Sequence, residues 1–425
     1  MSESEAERGG LGKAIGPGLL FAGAAIGASH LVQSTRAGGN YGLALLAVVV
    51  LANLVKYPAF SFGPRYAAAT GMSLLEGYRR QGRWALVLYG AVAALGVFTI
   101  QAAVTFVTAG LAIALLDVSW DPLLLSAGIM ALCLALLRIG SYRWLDRIVK
   151  VAVVLLTLGT VLAAVMVIPQ IRWDQPMWPD SSFFTEPARF FFVAGLIGWM
   201  PTAIDVSVWH SLWTLAKERD TGHRASVRQS LLDFNIGYIG TAILGVCFVL
   251  LGAGVVFGRG VTLPAGAAAF AAEIINLYTQ TLGDWARPVF GFVAFLVMFS
   301  TTLTVVDGSP RSISAFVARW QGPEVKGEAV GTSEGKAYWI SAGIIAVGAM
   351  IILSQFLANL KNLVDLATTI ALVTAPLLAL LNHRAIFSDD LTPEDRPSKA
   401  MQSMSWITIG IQAALATYYL YLRFL

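Results

Sequence analysis

Residues 14–39, AIGPGLLFAGAAIGASHLVQSTRAGG, and residues 189–214, RFFFVAGLIGWMPTAIDVSVWHSLWT, decide the fold. Each is an apolar run long enough to cross a hydrocarbon core of about 30 Å, which takes about 20 helical residues. Each is also interrupted near its middle. The first carries Gly23, then Gly27-Ala28-Ser29-His30, and closes on Gly38-Gly39; the second carries Gly195, Gly198 and Met200-Pro201. Proline removes a backbone donor and clashes with the preceding turn. Backbone groups freed at that depth are tolerated only where protein or a water-filled cavity surrounds them. Close-packing glycines and a kink would explain either run alone. Matched interruptions in two runs point to a site between them.

Outward from these two, further apolar runs lie at about 41–68, 84–116, 122–137, 145–169, 230–257, 286–318, 336–355, 359–381 and 403–424, giving eleven expected membrane helices. The composition agrees: 57% of the 425 residues are hydrophobic and 13% charged, against about 25% charged in soluble domains. That excludes an ordinary soluble enzyme, and the hydrophobicity excludes disorder. The net charge of +4 would suggest nucleic acid in a soluble protein. Here the basic residues sit in short loops, which reads as membrane orientation with no nucleic-acid partner.

Every second loop is basic. Arg79, Arg80 and Arg83 follow the second run; Arg138, Arg143, Arg147 and Lys150 the fourth; Lys217, Arg219, Arg224 and Arg228 the sixth; Arg311, Arg319, Lys326 and Lys336 the eighth; Arg384, Arg396 and Lys399 the tenth. The alternate loops hold Asp117, Asp121, Asp174, Asp180 and Glu186. This predicts a multi-pass protein of the inner (cytoplasmic) membrane, N-terminus in the cytoplasm and C-terminus outside. The acidic start MSESEAERGG lacks the order of a cleaved signal peptide, so the first run is expected to stay. Ten runs divide into two groups of five in opposite orientation, residues 1–170 and 189–385, with an extra eleventh helix at 400–425; inverted repeats of this kind place the substrate near the midplane. Cys133 and Cys247 lie inside apolar runs and read as packing residues. No phosphate-cradling loop, zinc-peptidase motif or nucleophile elbow occurs, so no enzyme is expected.

Ionisable groups inside spans default to functional hypotheses. His30 lies in the first interruption, as a metal ligand, a proton carrier or a satisfied core histidine. Asp205 lies just past the second, with His210 beyond it as a relay or a structural group. Lys56, in the middle of the second run, needs a carboxylate partner or loses its proton; Asp205 and Asp307 are the candidates, and snorkelling is the alternative. Thr301 and Thr304 either hold Na⁺ or bond back to their helix. Asp233 reads as a helix N-terminal charge, Arg36 as an interfacial anchor, and Asp365 has no obvious partner.

Residues 16–76 resemble the natural resistance-associated macrophage protein (NRAMP) family of metal-ion transporters. The resemblance lies in Gly16-Pro17-Gly18, Ala37-Gly38, Gly42-x-Ala44-Leu45-Leu46, Leu51-Ala52-Asn53-Leu54, and Arg65 with Ala69-Thr70-Gly71. Met200-Pro201 and Ser300-Thr301-Thr302-Leu303-Thr304 resemble the family's sixth and eighth spans. The resemblance implies an all-α membrane protein with a LeuT-like fold of two inverted five-helix repeats. The family's Asp-Pro-Gly-Asn motif is here Gly27, Ala28, Ser29 and His30, and the His after its Met-Pro is Thr202. The acidic ligand is therefore missing.

The expected function is secondary transport of a cation by alternating access. The expected substrate-binding residues are Gly27, Ala28, Ser29, His30, Gly198, Met200, Thr202 and Asp205. In place of the usual ligands, His30, Met200 and Asp205 would hold the metal. Proton coupling would run through His30, Asp205, His210, Lys56 or Asp307. No permanent cofactor is expected; the coupling ion is H⁺ or Na⁺, and the partners are the lipid bilayer and a small ion or solute. Two other readings stay open: a carrier of a small organic solute or amino acid, its carboxylate at a half-helix end, and a membrane receptor or scaffold that has lost transport.

Overall fold

The computed structural model describes residues 12–260, 264, 266–325, 335–357 and 359–424. Lys326 and the acidic residues 1–11 lie outside them. Every regular element among the described residues is helical. Both interruptions are real. The first run is α1 (Pro17–Ala25), a wider π-helical turn (Ser29–Ser34) and α2 (Thr35–Tyr41). After it come α3 (Leu46–Thr70), the short α4 (Leu74–Gln81), α5 (Arg83–Leu116) and α6 (Pro122–Val167). The sixth run is α7 (Pro187–Trp199) and α8 (Val206–Thr221). The remainder are α9 (Val227–Val255), α10 (Ala267–Leu282), α11 (Ala286–Gln321), α12 (Lys336–Gln355), α13 (Leu360–Ile386) and α14 (Lys399–Phe424).

Eight segments among the described residues are individually long and apolar enough to cross a membrane. Local chemistry sets several ends. Asp121 accepts the amide of Leu124 at 2.8 Å ahead of Pro122, which suits the first helical position because it has no amide hydrogen to satisfy. Ser226 and Gln229 form a capping box before α9. Gly71, left-handed at φ 71°, ends α3.

Two features depart from the expected layout. The connection between the fourth and fifth runs, carrying Arg138 and Arg143, is itself helical, so α6 contains both crossings; residues 138–144 hold no proline to break it. The stretch between the seventh and eighth runs contains α10, which packs on α5 and α11. At 16 residues it is shorter than a membrane span.

The basic loops meet at one end of the bundle. Glu76 pairs with Arg79, Arg80 and Arg319, and accepts the amide of Glu324. Arg80 also pairs with Asp390, Arg143 with Asp220, and Arg224 donates to the carbonyls of Ala68 and Ala69. Loops after the second, fourth, sixth, eighth and tenth runs thus share a face, as their charge alternation predicts.

Candidate functional site

α1 stops at Ala25 because Ile26 turns out of helical geometry, with ψ at 82°. The carbonyls freed there are met from α11. The Thr301 hydroxyl lies 2.9 Å from both the Gly23 and Ile26 carbonyl oxygens. The Ser29 hydroxyl donates to the Ala25 carbonyl at 2.6 Å. Gly27 is required here: a Cβ on it would sit 2.6 Å from Thr301 Cγ2. The interruption is therefore held open by side-chain hydroxyls that meet its carbonyls.

α7 stops at Trp199 and α8 begins at Val206, with a cis Met200-Pro201 bond between them. The freed carbonyls of Gly198 and Thr202 accept from Lys56 Nζ at 2.7 and 3.1 Å. Lys56 is 1% exposed, so it does not snorkel. Of its expected carboxylate partners, Asp205 acts on it electrostatically but, among the described residues, makes no direct ion pair with it. Asp307 is taken by Arg311 at 2.7 Å, with Trp213 and Tyr338 also donating to it. Backbone carbonyls replace a carboxylate because a broken helix end already gathers oxygen dipoles. Asp307 thus sits in a closed α11 network away from the interruptions.

Between the two interruptions lies a cavity of about 30 Å³. Its polar lining comes from Ser29 of the first run, Thr202 and Asp205 of the sixth, and Thr301 of α11. Gly27 and Ala28 contribute backbone, and Trp199, Trp209, Ile100 and Val305 close the apolar wall. Asp205 immediately precedes α8, where the helix dipole favours a carboxylate. Its Oδ1 is buried without a hydrogen-bond partner. Asp205 is the one acidic residue lining the cavity among the described residues.

Other expected site residues lie elsewhere. His30 is fully buried, with Nδ1 2.7 Å from the Ser29 hydroxyl and Nε2 3.0 Å from the Thr241 carbonyl oxygen. Met200 is buried with Val49, Leu196 and Val249. Both side chains turn toward Gly245 of α9 and neither lines the cavity. The proposed His30–Met200–Asp205 ligand set is therefore not assembled, and no cluster of three His, Cys, Asp or Glu placed for a metal occurs among the described residues. Gly198 lies against the Thr368 carbonyl, outside the cavity. His210 is boxed by Phe21 and Phe234, its ring nitrogens unpartnered.

Three roles differ from the sequence reading. Asp233 does not serve its own helix: its oxygens accept the amides of Gly16 and Gly18 at 2.9 and 2.6 Å, capping α1. Arg36 is no interfacial anchor: it is buried against Phe192 and pairs at 3.3 Å with Asp365. Thr304 bonds back to its own helix, as one sequence reading had it, and Thr301 does so too at 3.1 Å, but Thr301 also meets the carbonyls of the first interruption; its signal was the hydroxyl-rich stretch Ser300–Thr304. Cys133 and Cys247 are buried free thiols.

An all-helical multi-pass membrane protein whose paired broken helices flank one cavity belongs to the LeuT-like class of transporter folds. Within it, the chain belongs to the natural resistance-associated macrophage protein-like (Nramp) family, whose model matches residues 18–422. A Pasteurella multocida protein, the uncharacterized PM0681, is 33% identical over 374 residues, covering 87% of this chain and 84% of that one. The divalent metal cation transporter MntH 1 of Pseudomonas aeruginosa is 25% identical, over 96% of this chain and 91% of its own. The solved manganese transporter of Eremococcus coleocola superposes with a TM-score of 0.73 at 16% identity, covering 98% of this chain and 87% of that one. At that identity the likeness concerns the fold.

Proposed function

We propose that this protein is a secondary transporter that moves a metal ion across the cytoplasmic membrane. One observation carries the proposal: the one carboxylate that lines a cavity walled by two interrupted helices, Asp205, has an oxygen buried without a hydrogen-bond partner. The names of the Pseudomonas and Eremococcus relatives support metal ions as the cargo class. The departure from the family's span-one motif is compensated, in this reading, by Asp205 on span six. The cavity's volume also supports an ion. About 30 Å³ takes a bare ion or a water or two, but not an amino acid.

The cycle we propose is alternating access. Eleven crossings form two inverted repeats, 1–170 and 189–385, with an added helix at 400–425. Spans one and six rock against the rest, exposing the cavity to each side in turn. The end where the basic loops gather is cytoplasmic, with the N-terminus there and the C-terminus outside. Coupling, to H⁺ or Na⁺, involves Asp205. His30, Met200, His210 and Asp307 hold the protein around the site and do not touch cargo.

The test is uptake of Na⁺, Mg²⁺, Ca²⁺ and Mn²⁺ into proteoliposomes, with and without an imposed pH gradient. Saturable uptake of at least one ion that Asp205→Asn abolishes is expected. No uptake of any ion would refute transport and revive the receptor reading. Uptake indifferent to the gradient would remove proton coupling.

A further inference from the structure

We infer that the ion held between the interruptions is hard and singly charged, of the sodium type, and that the Lys56 ammonium sets this limit. The inference rests on the cavity being the cation site. The donors facing it are all oxygens. The single protons of the Ser29 and Thr301 hydroxyls are taken up by acceptors of the protein itself, the Ala25 carbonyl or His30 Nδ1 for Ser29 and the Gly23, Ile26 or Val297 carbonyl for Thr301. They therefore offer the cavity only lone pairs, which suit a cation and repel an anion. Oxygen ligands favour hard ions, whereas sulfur and imidazole favour transition metals. The soft groups nearby, Met200 sulfur and the His30 ring, face Gly245 instead.

The charge count then separates monovalent from divalent ions. Asp205 is the one acidic residue lining the cavity among the described residues. The two carbonyls that accept from Lys56 Nζ, those of Gly198 and Thr202, favour its ammonium form and so set a positive charge near the Asp205 carboxylate; Thr202 is itself part of the wall. Wall and ammonium together are neutral before any ion enters. A monovalent ion leaves one buried positive charge and a divalent ion two. The penalty for burying charge grows steeply with its magnitude. Divalent sites meet that penalty with several carboxylates or a retained water shell. One carboxylate and about 30 Å³ supply neither.

The experiment is thermal unfolding of the purified full-length protein, titrated with NaCl, KCl, MgCl₂ or MnCl₂ at ionic strength held constant with choline chloride. Na⁺ is expected to raise the midpoint saturably, and Mn²⁺ and Mg²⁺ to act about tenfold more weakly or not at all. Asp205→Asn abolishes the Na⁺ response. Lys56→Gln, which removes the charge but keeps an amide donor, brings divalent ions to within tenfold of Na⁺ or beyond. Should that variant not fold, Mn²⁺ competition against Na⁺ on the unaltered protein decides alone. Stabilisation by Mn²⁺ or Mg²⁺ at lower concentration than Na⁺, lost in Asp205→Asn, would overturn the monovalent assignment and leave the cation site standing. An ion response unchanged by Asp205→Asn, or none to any ion, would overturn both.

Discussion

Replacing Asp233 with Asn should loosen the N-terminal end of the first broken helix. The two oxygens of Asp233 accept the amides of Gly16 and Gly18, at 2.9 and 2.6 Å. These are otherwise orphan donors at the start of α1. The seam is tight because Gly18 and Gly237 bring α1 and α9 together backbone to backbone. An asparagine keeps one acceptor but turns its amide hydrogens toward the other N–H. One charge-assisted hydrogen bond of about 1.5–3 kcal/mol is lost, together with part of the carboxylate's attraction to the helix N-terminus. A net loss of about 2 kcal/mol multiplies the population with α1 swung away by about thirtyfold. Maleimide labelling of Ala24→Cys reads that population, because Ala24 is 7% exposed and lines the cavity. The native Cys133 and Cys247 are buried and give a low background. The labelling rate should rise by more than tenfold in Asp233→Asn at unchanged temperature and pH. A rate within twofold of the parent, with a lowered unfolding midpoint, would show that the contact supports the fold and does not hold a gate.

Two further outcomes are expected. Gly27→Ala pushes a methyl group against Thr301 and displaces the hydroxyl from the Gly23 and Ile26 carbonyls. Overpacking of this kind costs about 1–3 kcal/mol; ion uptake should fall at least tenfold, and restoration by Gly27→Ala with Thr301→Ser would assign the loss to the clash, while unchanged uptake would refute the role of this contact. At the basic loops, burial pushes the Glu76 carboxyl up, but hydrogen bonds from Arg79, Arg80 and the Glu324 amide outweigh it and leave it below the usual range. A carboxyl depressed by folding stabilises above its unfolded value, about 4.3, and this stability is lost as pH falls through the lower folded value. Glu76→Gln should therefore cost about 1.5–3 kcal/mol at pH 7, and the gap between parent and variant unfolding midpoints should close below about pH 4; a gap independent of pH would refute it.

Much of the fold was legible because hydropathy over about 20 residues responds to the bilayer and not to neighbours. The broken first and sixth runs announced themselves through Gly27, Gly198 and Pro201. The alternation of basic loops foretold which loops would meet. The helix Ala267–Leu282 was not legible, being too short to read as a crossing. Within the site, Ser29, Thr202 and Asp205 lay where their positions beside the interruptions suggested.

The sequence by itself determined how many apolar runs there are, where two of them lose their helical hydrogen bonds, and that one carboxylate, Asp205, stands beside them. Only the tertiary structure decided which groups answer the freed backbone. His30 and Met200 sit at the interruptions in sequence, yet the π-helical turn and the turn at Pro201 rotate them toward α9. Lys56 finds carbonyls 142 and 146 residues away, and Asp233 finds amides 217 and 215 residues away. Periodicity fixes the face of an intact helix, but past a break the direction of a side chain depends on the backbone angles there and on what packs against them. No spacing rule along the chain carries that information.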